Sequence, residues 1–389
     1  MTRGATSSPS DAVTTASAIV LPSRRDPAVA SIARTWRELT SGRTRDSGRR
    51  LGPGEHTLVA CSGGADSSAL AIALAAVTSK ITLAHVVHDM RPPAEAFADR
   101  DAVKTLASHL RVGYLEAAVS VRPDRRREAG EPPAPACRLA SAANVEDIAR
   151  RRRYAALARL AQDAGIEFIA TAHQAQDQLE SLLMRIMRGA GPSGLCGVRQ
   201  RRLLTRAAQS TPAIWLIRPM LHVSRADSER LCAAAGWCWQ QDATNADTAR
   251  LRSALRARVV PELLAIAPGC DRRASRAADL LADLSAHASR AAGRLDRAAR
   301  RGVPQPPGSI VWSREVLSQA TPMLVGAVLR LGMQRLALDE RADRRTHRGL
   351  RQIVDTVLDG SPKPRRGCIA GIESLVSSTH VQINRELPS

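Results

Sequence analysis

Short apolar runs alternate with stretches of helical length through most of the first 235 residues. Thr57 to Cys61 (TLVAC) is a buried strand running into a glycine-containing turn, and Asp66 to Val77, rich in Ala and Leu, predicts a helix. Ile81 to Val87 (ITLAHVV) is a second strand, followed by a Pro-Pro turn, a helical stretch through Leu110 and a third strand at Gly113 to Val119. Arg122 to about Ala140 is rich in Pro and Arg and predicts an irregular surface insertion. Helical periodicity returns over Asn144 to Ala164. A fourth strand follows at Ile166 to Thr171, then a helix over Asp177 to Arg188 and a glycine-rich loop at Gly189 to Gly197. A fifth strand is expected at Ala213 to Ile217, with a helix from about Ser224 to Ala235. This alternation predicts an α/β fold: a parallel sheet with helices on both faces, and ligands outside the carboxyl ends of the strands.

From Asp247 the pattern changes. A basic helical stretch runs to about Ala267 and a long amphipathic one spans Arg272 to Arg300. Another helix is expected near Pro322 to Leu336, with weak strand signals near Cys368 to Ile383. The expected organisation is a disordered basic tail over residues 1–52, a catalytic α/β domain over 53–246, and a smaller, mainly helical basic region over 247–389 with a small mixed end.

Charge sharpens this picture. Lys and Arg total 57 against 37 Asp and Glu, a formal net charge of +20, which predicts a polyanionic partner, with nucleic acid first. Aromatic residues are only 2% of the chain, which argues against a base-stacking platform for single strands. The Arg- and Ser-rich start lacks a secretory h-region, and no apolar run approaches 18 residues, so no membrane association is expected. Seven cysteines, none at CxxC spacing, fit reduced thiols in a cytoplasm.

The chemistry centres on Ser62-Gly63-Gly64-Ala65-Asp66-Ser67-Ser68, between a predicted strand and a predicted helix. Glycines there let backbone N–H groups close on a phosphate, and the helix N-terminus adds partial positive charge. Ser62 and Ser67 bring hydroxyl donors. A carboxylate inside an anion site repels its ligand unless a cation intervenes, so Asp66 is a candidate Mg²⁺ ligand. The loop has no Gly-Lys-Ser/Thr and is not a Walker A loop.

Downstream, Asp177 and Glu180 stand i, i+3 on one helix face, able to hold a metal or an ammonium group, or simply to favour a helix start through the dipole. Arg150 and Arg153 share a face by the same spacing; they could neutralise phosphate charge or form a solvated basic side. His173 at a strand end could contact nucleotide or be a satisfied core histidine. His85 and His88 are expected to be structural or peripheral.

The glycine loop resembles the pyrophosphate (PP) loop of the N-type ATP pyrophosphatases, which cleave ATP between its α and β phosphates. Further motifs follow in order: His85-Val86-Val87-His88-Asp89-Met90-Arg91, Asn144-Val145-Glu146, Thr171 to Ser181, Arg188 to Val198, Ile217-Arg218-Pro219-Met220-Leu221, Asp242-Ala243-Thr244-Asn245-Ala246-Asp247, and Arg252-Ser253-Ala254-Leu255-Arg256 with Val260-Pro261. Together they resemble the tRNA(Ile)-lysidine synthetase family over about Thr57 to Leu264. The resemblance implies ATP, Mg²⁺, free L-lysine and a minor isoleucine tRNA with a wobble cytidine. The cytidine C2 oxygen would attack the α phosphate, and the lysine amine would then displace AMP to leave lysidine.

Carried over by position, Ser62, Gly63, Gly64, Ala65, Asp66, Ser67 and His173 would bind the nucleotide, and Asp66 and Asp177 the metal. Asp177 and Glu180 would hold metal or the lysine ammonium, Arg150 or Arg153 the phosphate, and Arg252, Arg256 and Arg258 the tRNA backbone. The sequence departs from the family where Gln176-Asp177 stands in place of an acidic pair, and where Ser253 and Ala257 replace Asn and His. The alternatives are a thiolase of the same superfamily, disfavoured because those related to cytidine thiolation hold a cluster on paired cysteines, and a non-catalytic tRNA-binding protein with a relic loop, disfavoured by intact Ser62, Asp66 and Asp177.

Overall fold

The computed structural model describes residues 19–41, 54–89, 92–120, 142–208, 212–240, 251–336, 344–369 and 371–385. The insertion expected at Arg122 to Ala140 and the Asp242 to Asp247 motif lie outside them, as do residues 1–18 of the expected tail. The chain divides into two compact units at Asp279 and Leu280.

In the first unit the elements are α1 (Pro27–Thr40), β1 (Thr57–Ala60), α2 (Ala65–Ala75), β2 (Ile81–His88), α3 (Pro93–Leu110), β3 (Gly113–Val119), α4 (Ala142–Asp163), β4 (Phe168–Ala170), α5 (Ala175–Met187), β5 (Arg201–Thr205), β6 (Ile214–Ile217), α6 (Arg225–Ala234), α7 (Leu251–Ala254), a π-helical turn at Leu255–Val259, α8 (Val260–Ile266) and the start of α9 (Cys270–Arg300). All five expected strands are present. With a sixth, β5, they form a sheet of order β3-β2-β1-β4-β6-β5, in which β5 alone runs antiparallel to its neighbour. β5 gives no clear sequence signal because RRLLT holds only two apolar residues. Its edge is sealed instead by Arg201, whose guanidinium lies 4.1 Å from the Trp215 ring centroid.

Alternation along the strands builds two cores. Val59, Leu83, Ala170 and Ile217 face α1, α2, α3 and α6; Leu58, Ala84, Ile169 and Leu216 face α4. Because β1 pairs with β2 on one side and β4 on the other, the strand order reverses there, and the turns after β1 and β4 open on a shared crevice.

The expected disordered tail over 1–52 is corrected at residues 27–40, which form α1. Asp26 caps it by accepting from the Ala28 and Val29 N–H groups at 2.9 and 3.3 Å, and Pro27 occupies the first turn. Val29, Ile32, Ala33 and Trp36 recur at i, i+3, i+4 and i+7 and are all buried. Trp36 donates its indole N–H to Thr57 Oγ1 at 2.8 Å, tying the helix to the start of β1. Gly54, at φ +85°, lies under that ring, where a Cβ would come within 2.3 Å of it.

The expected boundary at residue 246 falls inside the first unit, because α7, the π turn and α8 pack onto α5. The second unit holds β7 (Ser309–Ser313), α10 (Arg314–Ser318), α11 (Pro322–Leu336), α12 (Arg344–Leu358), β8 (Arg365–Ile369), β9 (Ile372–Val376) and β10 (His380–Arg385). Its sheet is antiparallel, in the order β7-β10-β9-β8. Among the described residues no helix is long and apolar enough to cross a membrane.

Candidate active site

The loop after β1 is shaped from within. Gly63 sits at φ +88°, a conformation L side chains rarely adopt. Ser67 Oγ accepts from the Ser62 N–H at 3.1 Å and donates to the Gly64 carbonyl at 3.1 Å, so this hydroxyl holds the loop together instead of pointing out as a phosphate donor. His85 donates from Nδ1 to the Cys61 carbonyl at 2.9 Å; burial pushes its pKa below the usual imidazole value, and its place is structural. Gly64 caps α2 without any side-chain hydrogen bond, which leaves the first-turn N–H groups at Ala65, Asp66 and Ser67 for a ligand. Ser62 is exposed at the mouth of this loop.

Asp66 points into the crevice toward the turn after β4. Its Oδ2 accepts from Gln174 Nε2 at 3.1 Å, whereas Oδ1 is buried with no partner. Burial, joined by the charge of nearby Asp177, raises its pKa to about 6 against lowering by Ser228, Arg225 and Arg256. Gln174 Oε1 is likewise buried and unpartnered. An unpartnered oxygen on each of these two hydrogen-bonded side chains suits a hard, oxygen-seeking cation such as Mg²⁺. Gln174 was not among the residues the sequence singled out. Its cue is its position, directly after His173 and at the cap of the helix that carries Asp177 and Glu180.

Asp177 and Glu180 do project from one side of the first turns of α5, yet neither is open. Asp177 Oδ2 accepts the Gln174 backbone N–H at 2.9 Å, and its Oδ1 accepts from Arg252 Nη2 at 2.8 Å and Arg256 Nη2 at 3.1 Å. Glu180, completely buried, accepts from Arg252 Nε at 2.8 Å and Arg256 Nε at 2.7 Å. In this arrangement Asp177 spends both oxygens on hydrogen bonds, one to the Gln174 backbone and one shared by two guanidinium groups. Arg252 and Arg256, expected to meet RNA, spend guanidinium N–H groups on buried Glu180 and half-buried Asp177 while staying partly exposed. Arg258, on the π turn, is exposed.

His173 closes the crevice. Its Nδ1 lies 2.9 Å from Thr171 Oγ1 and 3.3 Å from Arg218 Nε. Burial first, then the positive charges of Arg218, Arg150, Arg252 and Arg153, hold its pKa well below the usual value, so the ring is neutral. Arg150 rests over the Tyr154 ring at 5.5 Å, and Arg153 is exposed. Arg218 after β6, Arg150 and Arg153 on α4 and Arg252 on α7 thus concentrate positive charge around His173 at the end of β4.

A family model described as a PP-loop domain matches residues 44–263. The tRNA(Ile)-lysidine synthase of Salinispora tropica is 36% identical over 295 residues, covering 73% of this chain and 79% of that protein. This chain belongs to the tRNA(Ile)-lysidine synthase family. The family's synthase from Methylobacterium nodulans is 36% identical over 71% of this chain and 75% of its own length. That from Alkalilimnicola ehrlichii is 33% identical over 80% of this chain, which spans 63% of that relative's length. The PP-loop match contains the whole crevice, including Asp66, Gln174, Glu180 and Arg256, while α1 and the second unit fall outside it.

Proposed function

We propose that this chain ligates lysine to C2 of the wobble cytidine of a minor isoleucine tRNA, consuming ATP and releasing AMP and pyrophosphate. The observation that carries this reading is the Asp66–Gln174 bond, which joins the PP-loop to the helix start bearing Asp177 and Glu180. One crevice then serves both the nucleotide and a second, cationic substrate.

A carbonyl oxygen is a poor leaving group, and transfer of adenylate onto the cytidine C2 oxygen makes it a good one. The α2 N-terminus and the loop N–H groups hold the pyrophosphate part of ATP. Arg150 and Arg153 offset charge developing on the α phosphorus. Asp66, with Gln174 Oε1 beside it, would hold Mg²⁺, whose charge polarises the phosphoryl oxygens. In the second half-reaction the attacking lysine amine is neutral, so lysine's other ammonium keeps its charge and needs an anionic seat. Asp177 and Glu180 would offer one by exchanging guanidinium N–H donors for the ammonium, a reading supported by their pairing with Arg252 and Arg256.

A net charge of +20 favours binding of the tRNA backbone, with Arg258 and the basic helices as contact points. A cytoplasmic location, where tRNA and free lysine meet, belongs to the same reading. The test is Asp66→Ala. Adenylation of tRNA, with its release of pyrophosphate, and the later displacement of AMP by lysine should both vanish, while filter-binding affinity for tRNA changes less than about threefold, since a local site substitution leaves phosphate contacts elsewhere intact. Equal loss of binding would assign Asp66 a structural role instead.

A further inference from the structure

Arg218 follows β6 directly, in the Ile217-Arg218-Pro219 turn, and is only 3% exposed. Its Nη1 donates to the Arg199 carbonyl at 2.6 Å, it hydrogen-bonds Tyr154, and its Nε points at His173 Nδ1 from 3.3 Å. Among the described residues none of these partners is a carboxylate. Burying a guanidinium in such surroundings opposes its charge, and burial indeed lowers its pKa. An apolar side chain would fill the position at less cost, so the guanidinium points to a task beyond packing.

We propose that Arg218 is a positioning residue that locks His173 as the neutral Nε2–H tautomer, so that His173 meets the nucleotide as a hydrogen-bond donor to a phosphoryl oxygen and not as a base. The logic is one of donors and acceptors. A guanidinium has five N–H donors and no acceptor, so an imidazole nitrogen that it addresses must offer a lone pair. Thr171 Oγ1, 2.9 Å from the same nitrogen, then donates as well. With Nδ1 an acceptor twice over, the ring proton resides on Nε2. Placing a proton on Nδ1 would set it against the Arg218 N–H.

The lock is rigid because the sheet carries it. Thr171 donates its backbone N–H to the Ile217 carbonyl at 3.0 Å, and Ala170 pairs with Ile217 in the β4–β6 ladder. His173 and Arg218 therefore extend from adjacent strands with little freedom between them. Arg150, Arg153 and Arg252, whose charges reach His173, draw an anion to the same place. An Nε2–H donor amid these cations suits a phosphoryl oxygen of the nucleotide. This assignment rests on the crevice being the ATP site, but the tautomer is readable without any ligand.

The experiment is long-range ¹H–¹⁵N correlation NMR on protein labelled in histidine, with the His173 signals assigned by their loss in His173→Gln. Wild-type protein without ATP should show His173 as the Nε2–H tautomer at pH 7, and Arg218→Met should release a population of Nδ1–H. An Nδ1–H ring in the wild type, or an Nε2–H ring unmoved in Arg218→Met, would overturn the lock. Should Arg218→Met fail to fold, Thr171→Val serves in its place, with the Nε2–H signal expected to persist because Arg218 alone still excludes a proton from Nδ1. Titration with ATP then tests the donor. His173→Gln, whose side-chain N–H₂ group reaches about as far as Nε2, should bind ATP roughly tenfold more tightly than His173→Leu, the loss of one charge-assisted hydrogen bond. Equal affinities would remove the donor role. Wild-type protein that fails to bind ATP would refute the nucleotide site itself while leaving the tautomer result standing.

Discussion

Arg256 sets its Nε 2.7 Å from Oε1 of Glu180, a carboxylate that solvent does not reach at all. Arg252 grips the other oxygen of Glu180 at 2.8 Å, and both guanidinium groups also reach Asp177. The segment from Leu251 to Val259 is held to α5 by this four-residue cluster.

Glu180→Ala leaves two guanidinium groups facing Asp177 alone. Loss of one partner of a buried pair costs about 3–5 kcal/mol, but the arginines are a third or more exposed and water relieves part of that. A loss of roughly 2 kcal/mol in urea unfolding is expected. An unchanged midpoint would mean that the cluster behaves as a surface ion pair.

Asp66 supplies a pH test. Its carboxyl is raised from an ordinary 3.8 to about 6, so the folded protein without ligand favours the protonated form. Stability from this group is full below about pH 4 and is lost as pH rises through about 6. The displacement corresponds to about 3 kcal/mol, so Asp66→Asn should raise the melting temperature at pH 8 and leave it unchanged near pH 4. A variant melting below wild type at pH 8 would contradict the burial of an unrelieved charge.

Gln174 joins the two turns that form the crevice. Gln174→Ala removes the bond to Asp66 and one of the two orphaned oxygens. Mn²⁺ affinity, followed by electron paramagnetic resonance in the presence of ATP, should weaken by tenfold or more, in line with about 1.5–3 kcal/mol for a hydrogen bond to a charged group. Unaltered Mn²⁺ binding would place the cation elsewhere.

Trp36 tests whether α1 belongs to the catalytic unit although it precedes the family match. The side chain is fully buried and hydrogen-bonded to Thr57, so Trp36→Ala should cost about 3–5 kcal/mol in denaturant unfolding. A loss below about 1 kcal/mol would mean that the helix is a dispensable attachment.

The strands that frame the crevice were legible because each is a short apolar run closed by a turn, as at TLVAC and ITLAHVV. The glycine loop was legible from its chemistry. What escaped had a physical reason in each case. The apolar stripe Val29, Ile32, Ala33, Trp36 was hidden in a region whose average composition is polar and basic. Arg201–Thr205 forms an edge strand whose apolar content is too low to announce it. Spacing placed Asp177 and Glu180 on one face, but it carried no information on which cations would meet them. Only the fold brings Arg252 and Arg256 across some 75 residues to that face. For Gln174 the sequence offers only its position after His173, because its role depends on a partner 108 positions away.

The most direct test of the account is incubation of the purified chain with ATP, Mg²⁺, labelled L-lysine and a minor isoleucine tRNA transcript bearing a wobble cytidine. Lysine should enter the tRNA in proportion to AMP and pyrophosphate released, with no incorporation when the wobble base is uridine. Absence of labelled tRNA while ATP is still cleaved to AMP and pyrophosphate, or sulfur transfer in place of lysine, would contradict it.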